Sequence, residues 1–151
     1  CNKKNIIKLL NSIKFYKKIM IEEFIGGREI QVAIMGNKKL GTIELVPKRK
    51  FYDYKAKYSK SANTNHIMPA NISKKKYLEV LNIAKRAHRI LKCRGVTRSD
   101  FKLFNNKFYL LETNTQPGMT SLSLVPEIAE YKKISFDSLI KKILLDASIN
   151  R

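Results

Sequence analysis

At 151 residues, 44% of them hydrophobic and 28% charged, the chain is one domain's worth of globular polypeptide, able to bury about two-thirds of its unfolded surface. Cys1 and Cys93 are too few for a disulfide framework and compatible with a reducing cytosol, and no apolar run approaches the ~20 residues that cross a bilayer. The formal net charge of +19 raises nucleic acid as a partner, but 24 of the 31 cations are lysines scattered through an Asn- and Ile-rich sequence, whereas phosphate and base forks favour arginine. Solvated surface lysine, with some steering of an anionic substrate such as a nucleotide, is the reading adopted.

Residues 2–18 carry Ile6, Leu9, Leu10 and Ile13 at helical spacing between lysines, which predicts an amphipathic helix. Ile19–Phe24 and Glu29–Met35 read as strands around the Gly26-Gly27 turn, and Leu40–Val46 as a third. From Pro47 to Ala70 no period is evident, so a long loop is expected, of a length that compact domains keep for a function. Ser73 then caps a helix with Tyr77, Leu81, Ala84, Ala87 and Leu91 on one face, ending before Gly95. Val96–Phe104 and Phe108–Glu112 form a hairpin. Ser135 caps a last helix whose inner face is Phe136, Leu139, Ile140, Ile143 and Leu144. The fold class is α+β, a largely antiparallel sheet flanked by helices. His88 falls on helix surface or core, and His66 in the loop.

The hairpin register decides the chemistry. A strict two-residue Asn105-Asn106 turn pairs Asp100 with Leu111 and sends it to the face opposite Glu112. A three-residue loop, Asn105-Asn106-Lys107, sets Asp100 against Glu112 and Arg98 against Asn114, and gathers Phe101, Leu103, Tyr109 and Leu111 on one apolar face. The second register is expected. It ends a buried strand, Leu110-Leu111-Glu112-Thr113-Asn114, in two oxygen ligands on one side, followed by a Pro117-Gly118 turn and a run of hydroxyls. Two carboxylates and an amide, without His or Cys, suit Mg²⁺ or Mn²⁺, which complete their shells with water and nucleotide phosphates. On spacing alone, an Arg98–Asp100–Glu112 ion-pair network at a sheet edge is the slightly favoured alternative.

The segments VTRSDF and YLLETNTQPGMTSLSLVP, with FYDYKAKY and IEEFIGGREI upstream, resemble the D-alanine–D-alanine ligases of the ATP-grasp superfamily from about Ile19 to about Ser148. The resemblance implies that Asp100, Glu112 and Asn114 hold two Mg²⁺ or Mn²⁺ ions against the ATP phosphates. It implies that Arg98 and the backbone at Gly118 stabilise a tetrahedral intermediate. By the same match, Ser123 and the Leu124 backbone grip the carboxylate of the second D-alanine. Glu22 and Glu29 fall on adenine-side and ribose contacts, Phe51 on the nucleotide pocket, and the strand before Gly26-Gly27 on a hinge. Lys57 and Tyr58 match a pair that closes over the site, the lysine toward phosphate and the tyrosine toward substrate, in a form that favours an amine nucleophile.

The implied reaction is ATP-dependent joining of two D-alanines through an acyl-phosphate, for peptidoglycan synthesis, in the cytoplasm, by an enzyme compatible with a homodimer. The family is about twice this long. The resemblance therefore implies that 1–151 is its carboxy-terminal part, without the amino-terminal domain, the Gly-rich lid or the upstream phosphate-gripping lysines. Three readings are carried forward: one half of a working ligase completed by an amino-terminal half, a decayed fragment, and a basic nucleic-acid module. The first expects ATP and D-alanine as partners and neither nucleic acid nor membrane.

Overall fold

The computed structural model describes residues 3–47, 64–120 and 122–148. Among the described residues five strands form one antiparallel sheet: β1 (Arg28–Met35), β2 (Lys38–Pro47), β3 (Thr64–Ile67), β4 (Val96–Phe104) and β5 (Lys107–Asn114), in the spatial order β3-β2-β1-β4-β5. Among the described residues four helices accompany it: α1 (Lys3–Ser12), α2 (Lys74–Ile90), α3 (Leu124–Tyr131) and α4 (Phe136–Asp146). This is the expected α+β architecture. No helix among the described residues is long and apolar enough to cross a membrane.

Alternation along β1 explains the layering. Ile30, Val32 and Ile34 point to one face and pack with Val80, Leu81 and Ala84 of α2 and with Phe101. Ala33 and Met35 point to the other, against Leu124, Val125, Ile128 and Ala129 of α3 and Leu139 of α4. With both faces covered, β1 is buried without a break from Ile30 to Met35, Gln31 included. Ser73 caps α2 by accepting from the Lys76 N–H, and Ser135 caps α4 by accepting from the Ser138 N–H, both as expected. At the far end of α2, Lys92 adopts φ 52° while the Cys93 N–H reaches the His88 carbonyl at 2.9 Å, a Schellman closure with lysine in the usual glycine place.

Several expectations are corrected. Helix α1 stops at Ser12 rather than near residue 18, and Ile19–Phe24 is not a strand. The segment is irregular chain, and Met20, Ile21 and Phe24 stay about 80% exposed, so its apolar residues bury little surface. Part of the expected loop is β3, where His66 lies opposite Leu45 and its Nδ1 meets Glu127 Oε2 at 2.7 Å. The pattern gave no warning of α3. On α4, Phe136 and Leu144 are exposed and only Leu139 is fully buried. Strand β5 is an exposed edge rather than a buried strand, with Leu110 and Leu111 about half open to solvent. Among the described residues, His88 lies in the core, hydrogen-bonded through Nδ1 to Thr97 Oγ1 at 2.8 Å.

Candidate functional site

The register of β4 and β5 builds the site, by a route the sequence did not indicate. The turn is the two-residue Asn105-Asn106, both at positive φ (46° and 62°), as a type I′ hairpin requires. Phe104 therefore faces Lys107 and Phe101 faces Leu110. A β-bulge between Asp100 and Phe101 then absorbs Leu111, so Asp100 stands opposite Glu112 and Arg98 opposite Asn114. The expected pairs are present, but a bulge makes them and the three-residue loop does not exist. The apolar face is corrected with it: Phe108, not Tyr109 or Leu111, packs on Phe101, edge to face with ring centroids 6.1 Å apart.

On the β1 side, Glu29 faces Lys102, Gln31 faces Asp100 and Ala33 faces Arg98. Directly opposed residues share a side of the sheet, so Glu29, Gln31, Lys102, Asp100, Arg98, Glu112 and Asn114 form one polar stripe across three strands. The stripe lies on the face that carries Ala33, and hence on the face that α3 covers.

Arg98 donates from Nε to Asp100 Oδ1 at 2.8 Å and from Nη2 to Oδ2 at 3.0 Å, and both side chains are only 11% exposed. Glu112 is different: its carboxylate is 60% exposed and 3.9 Å from Arg98 Nη2. Lys102 Nζ meets Glu29 Oε2 at 3.1 Å. Summed over Glu29, Asp100, Glu112, Arg98 and Lys102, the stripe has net charge −1, a modest attraction for a divalent cation unless phosphates accompany it.

The donor set fits a hard cation. Asp100, Glu112 and Asn114 offer only oxygens, Glu112 is free to turn, and Asn114 Oδ1 accepts one bond, from the Gln116 N–H at 2.9 Å, keeping a second lone pair. Among the described residues no three His, Cys, Asp or Glu side chains gather as a metal cluster, so the third protein ligand of such a site is the amide.

The Asn114 bond is an Asx turn that starts the Thr115–Thr120 loop. The loop folds back on the start of α3. Ser123 Oγ accepts from the Thr120 N–H at 2.9 Å and shares a hydrogen bond with Thr120 Oγ1. A Cβ on Gly118 would lie 2.9 Å from Ser123 Oγ, so a side chain there would displace the serine hydroxyl from its bonds to Thr120. Because Ser123 makes no side-chain cap bond to α3, the first-turn N–H groups at Leu124 present the positive end of the helix to the loop.

The structure therefore brings Arg98, Asp100, Glu112 and Asn114 together, and separately Gly118, Ser123 and Leu124. Glu29 shares the face of the first group within its own pair with Lys102. Glu22 is exposed in irregular chain before Gly27. Phe51, Lys57 and Tyr58 lie outside the described residues. Gly27 itself (φ 89°) passes so close to β4 that a Cβ would meet the Leu103 carbonyl oxygen. Sequence reasoning passed over Gln31 and Lys102. The available signal was a glutamine two residues from Glu29 inside an apolar strand.

Known proteins share this sequence and fold. A D-alanine–D-alanine ligase of Pelagibacter ubique is 65% identical over 151 residues, covering 100% of this chain and 50% of that protein. One from Geotalea uraniireducens is 45% identical over 139 residues, covering 91% and 44%. A crystal structure of the Bacillus anthracis D-alanine–D-alanine ligase complexed with ATP superposes with TM-score 0.79 at 28% identity, over 96% of this chain and 48% of that one. The chain thus spans about half the length of the curated relatives it matches. With the family profile described as "D-ala D-ala ligase C-terminus" matching residues 2–145, the chain belongs to that family.

Proposed function

We infer that this chain forms one wall of the active site of an ATP-dependent enzyme that joins two D-alanines through an acyl-phosphate, and that it works with a segment equivalent to the half of the relatives it does not span. The observation that carries the reading is the polar stripe Arg98–Asp100–Glu112–Asn114, four residues before the glycine that packs on Ser123. An ATP complex of a structural relative supports the nucleotide.

Asp100, Glu112 and Asn114 hold Mg²⁺ or Mn²⁺, two ions in all, whose chemistry is to neutralise charge on the transferring phosphoryl group. Arg98 and the Gly118 backbone face the oxyanion that develops when an amine attacks the acyl-phosphate. The Ser123 hydroxyl and the Leu124 N–H at the start of α3 bind the carboxylate of the second D-alanine. Glu29, Glu22 and Phe51 line the nucleotide side. Lys57 and Tyr58 close over the reacting groups and exclude water that would hydrolyse the intermediate. A cytoplasmic enzyme of peptidoglycan synthesis follows from that chemistry.

The test is phosphate release dependent on ATP and D-alanine, by 1–151 alone and after co-expression with the first half of the Pelagibacter ubique relative. The expected result is none alone and turnover in the complex. Turnover by the isolated chain would refute the need for a second half, and a folded complex without turnover would refute the reading of 1–151 as one half of a working enzyme in favour of a decayed fragment.

A further inference from the structure

Gln31 lies inside the stripe, yet nothing in the proposed chemistry uses it. Its side chain is fully buried, and its Oε1 is the one buried side-chain polar atom among the described residues with no hydrogen-bond partner. Native interiors leave few acceptors in that state, and each has a reason. Its amide orientation is set by Glu29: Nε2 faces Glu29 Oε1 at 3.4 Å, and the carbonyl end would repel that carboxylate.

The register gives Gln31 its neighbours. It stands opposite Asp100, and Arg98 is opposite Ala33, two residues along on the same face. Arg98 is thus the diagonal neighbour of Gln31, at a spacing that long side chains bridge. In the free chain both oxygens of Asp100 are held by the guanidinium. Asp100 can ligate a cation only by giving up at least part of that fork. The released N–H groups sit in a site where Arg98 is 11% exposed, so they need a protein acceptor in place of bulk water.

We propose that Gln31 is a positioning residue whose carbonyl oxygen accepts the Arg98 guanidinium when Asp100 turns to a divalent cation. The inference rests on the reading of Asp100 as a cation ligand. The exchange moves donors without losing them: Arg98 leaves a carboxylate for an amide oxygen that had no partner, and Asp100 gains the cation. The free chain carries the unsatisfied acceptor, and the loaded site fills it. Removing that acceptor therefore has opposite effects on the two states.

The experiment compares chain 1–151 with Gln31→Met, which keeps the length and lacks an acceptor, and with Gln31→Glu, which retains an oxygen. Thermal midpoints are read on 1–151 without ligand, and affinity for Mn²⁺·ADP is read by electron paramagnetic resonance on its complex with the first half of the Pelagibacter ubique relative. The Arg98 Nε–H resonance is followed with Mg²⁺·ADP. In Gln31→Met the midpoint should equal or exceed wild type, while affinity falls about tenfold, the scale of one hydrogen bond to a charged group. Gln31→Glu should recover affinity, and the Arg98 resonance should move on loading in wild type and stay in Gln31→Met. A lower midpoint in Gln31→Met overturns the proposal whatever the affinity, because Gln31 is then a structural side chain. Unchanged affinity overturns it as well. If wild type in complex with the first half of the Pelagibacter ubique relative does not bind Mn²⁺·ADP at millimolar concentration, the reading of Asp100 falls and takes this proposal with it.

Discussion

Asp100 and Glu112 face each other across the hairpin, yet replacing them should have very unequal effects on stability. Asp100 is 11% exposed and holds Arg98, equally buried, by two hydrogen bonds of 2.8 and 3.0 Å. Breaking a buried pair by removing one partner costs about 3–5 kcal/mol, and an exposed pair contributes about 0–1. With a tenth of each side chain open, and Glu112 Oε1 only 3.9 Å from the guanidinium as a substitute, Asp100→Ala should cost about 2–3 kcal/mol. For a domain of this size that lowers the thermal midpoint by roughly 5–10 °C. Glu112, 60% exposed, should lose no more than about 0.5 kcal/mol on change to Gln. Both variants should lose Mn²⁺·ADP binding. The assay is thermal unfolding followed by circular dichroism, with urea titration as a second measure of stability. The reasoning is refuted if Glu112→Gln lowers the midpoint as much as Asp100→Ala, or if Asp100→Ala is tolerated within about 0.5 kcal/mol.

Burial holds the His88 imidazole below its ordinary value of 6.5, so the unfolded chain takes up the proton first. Stability should fall as pH drops below about 6.5 toward the folded-state value and level off beneath it. Urea midpoints across that window should show the slope in wild type and lose it in His88→Asn; a slope that persists would assign it to other groups. At the hairpin, Asn106→Val places a β-branched residue at φ 62° and should cost about 1–2 kcal/mol, whereas Asn106→Gly should be near neutral. Equal stability of the two, by urea titration, would contradict the type I′ turn.

Much of the site was readable because its signals are local. Capping serines, Gly and Pro punctuation, and the alternation that puts Glu112 and Asn114 on one side depend on residues a few positions apart. The three-residue turn was the wrong route to the right pairs. Counting residues around Asn105-Asn106 gives one register per loop length, and a bulge adds a residue that no local count reveals. The bulge serves both faces: Phe108 reaches Phe101 on the apolar side, while Asp100 keeps Glu112 on the polar side. Ile19–Phe24 differs for the complementary reason: a run of apolar residues reads as a strand in sequence, but here it is irregular chain with Met20, Ile21 and Phe24 about 80% exposed.

By itself, the sequence determined the polar set Arg98, Asp100, Glu112 and Asn114, the glycine beside Ser123 and the α+β class, because residue types and short spacings specify ligand chemistry, turns and helix ends. Only the tertiary structure decided that Asp100 is locked beneath Arg98 while Glu112 stands in solvent, that Lys102 holds Glu29, and that Gln31 is buried with an acceptor unfilled. Those differences arise from which neighbours cover each side chain. Cover comes from strands and helices far apart in the chain, packed on one another to bury their apolar faces.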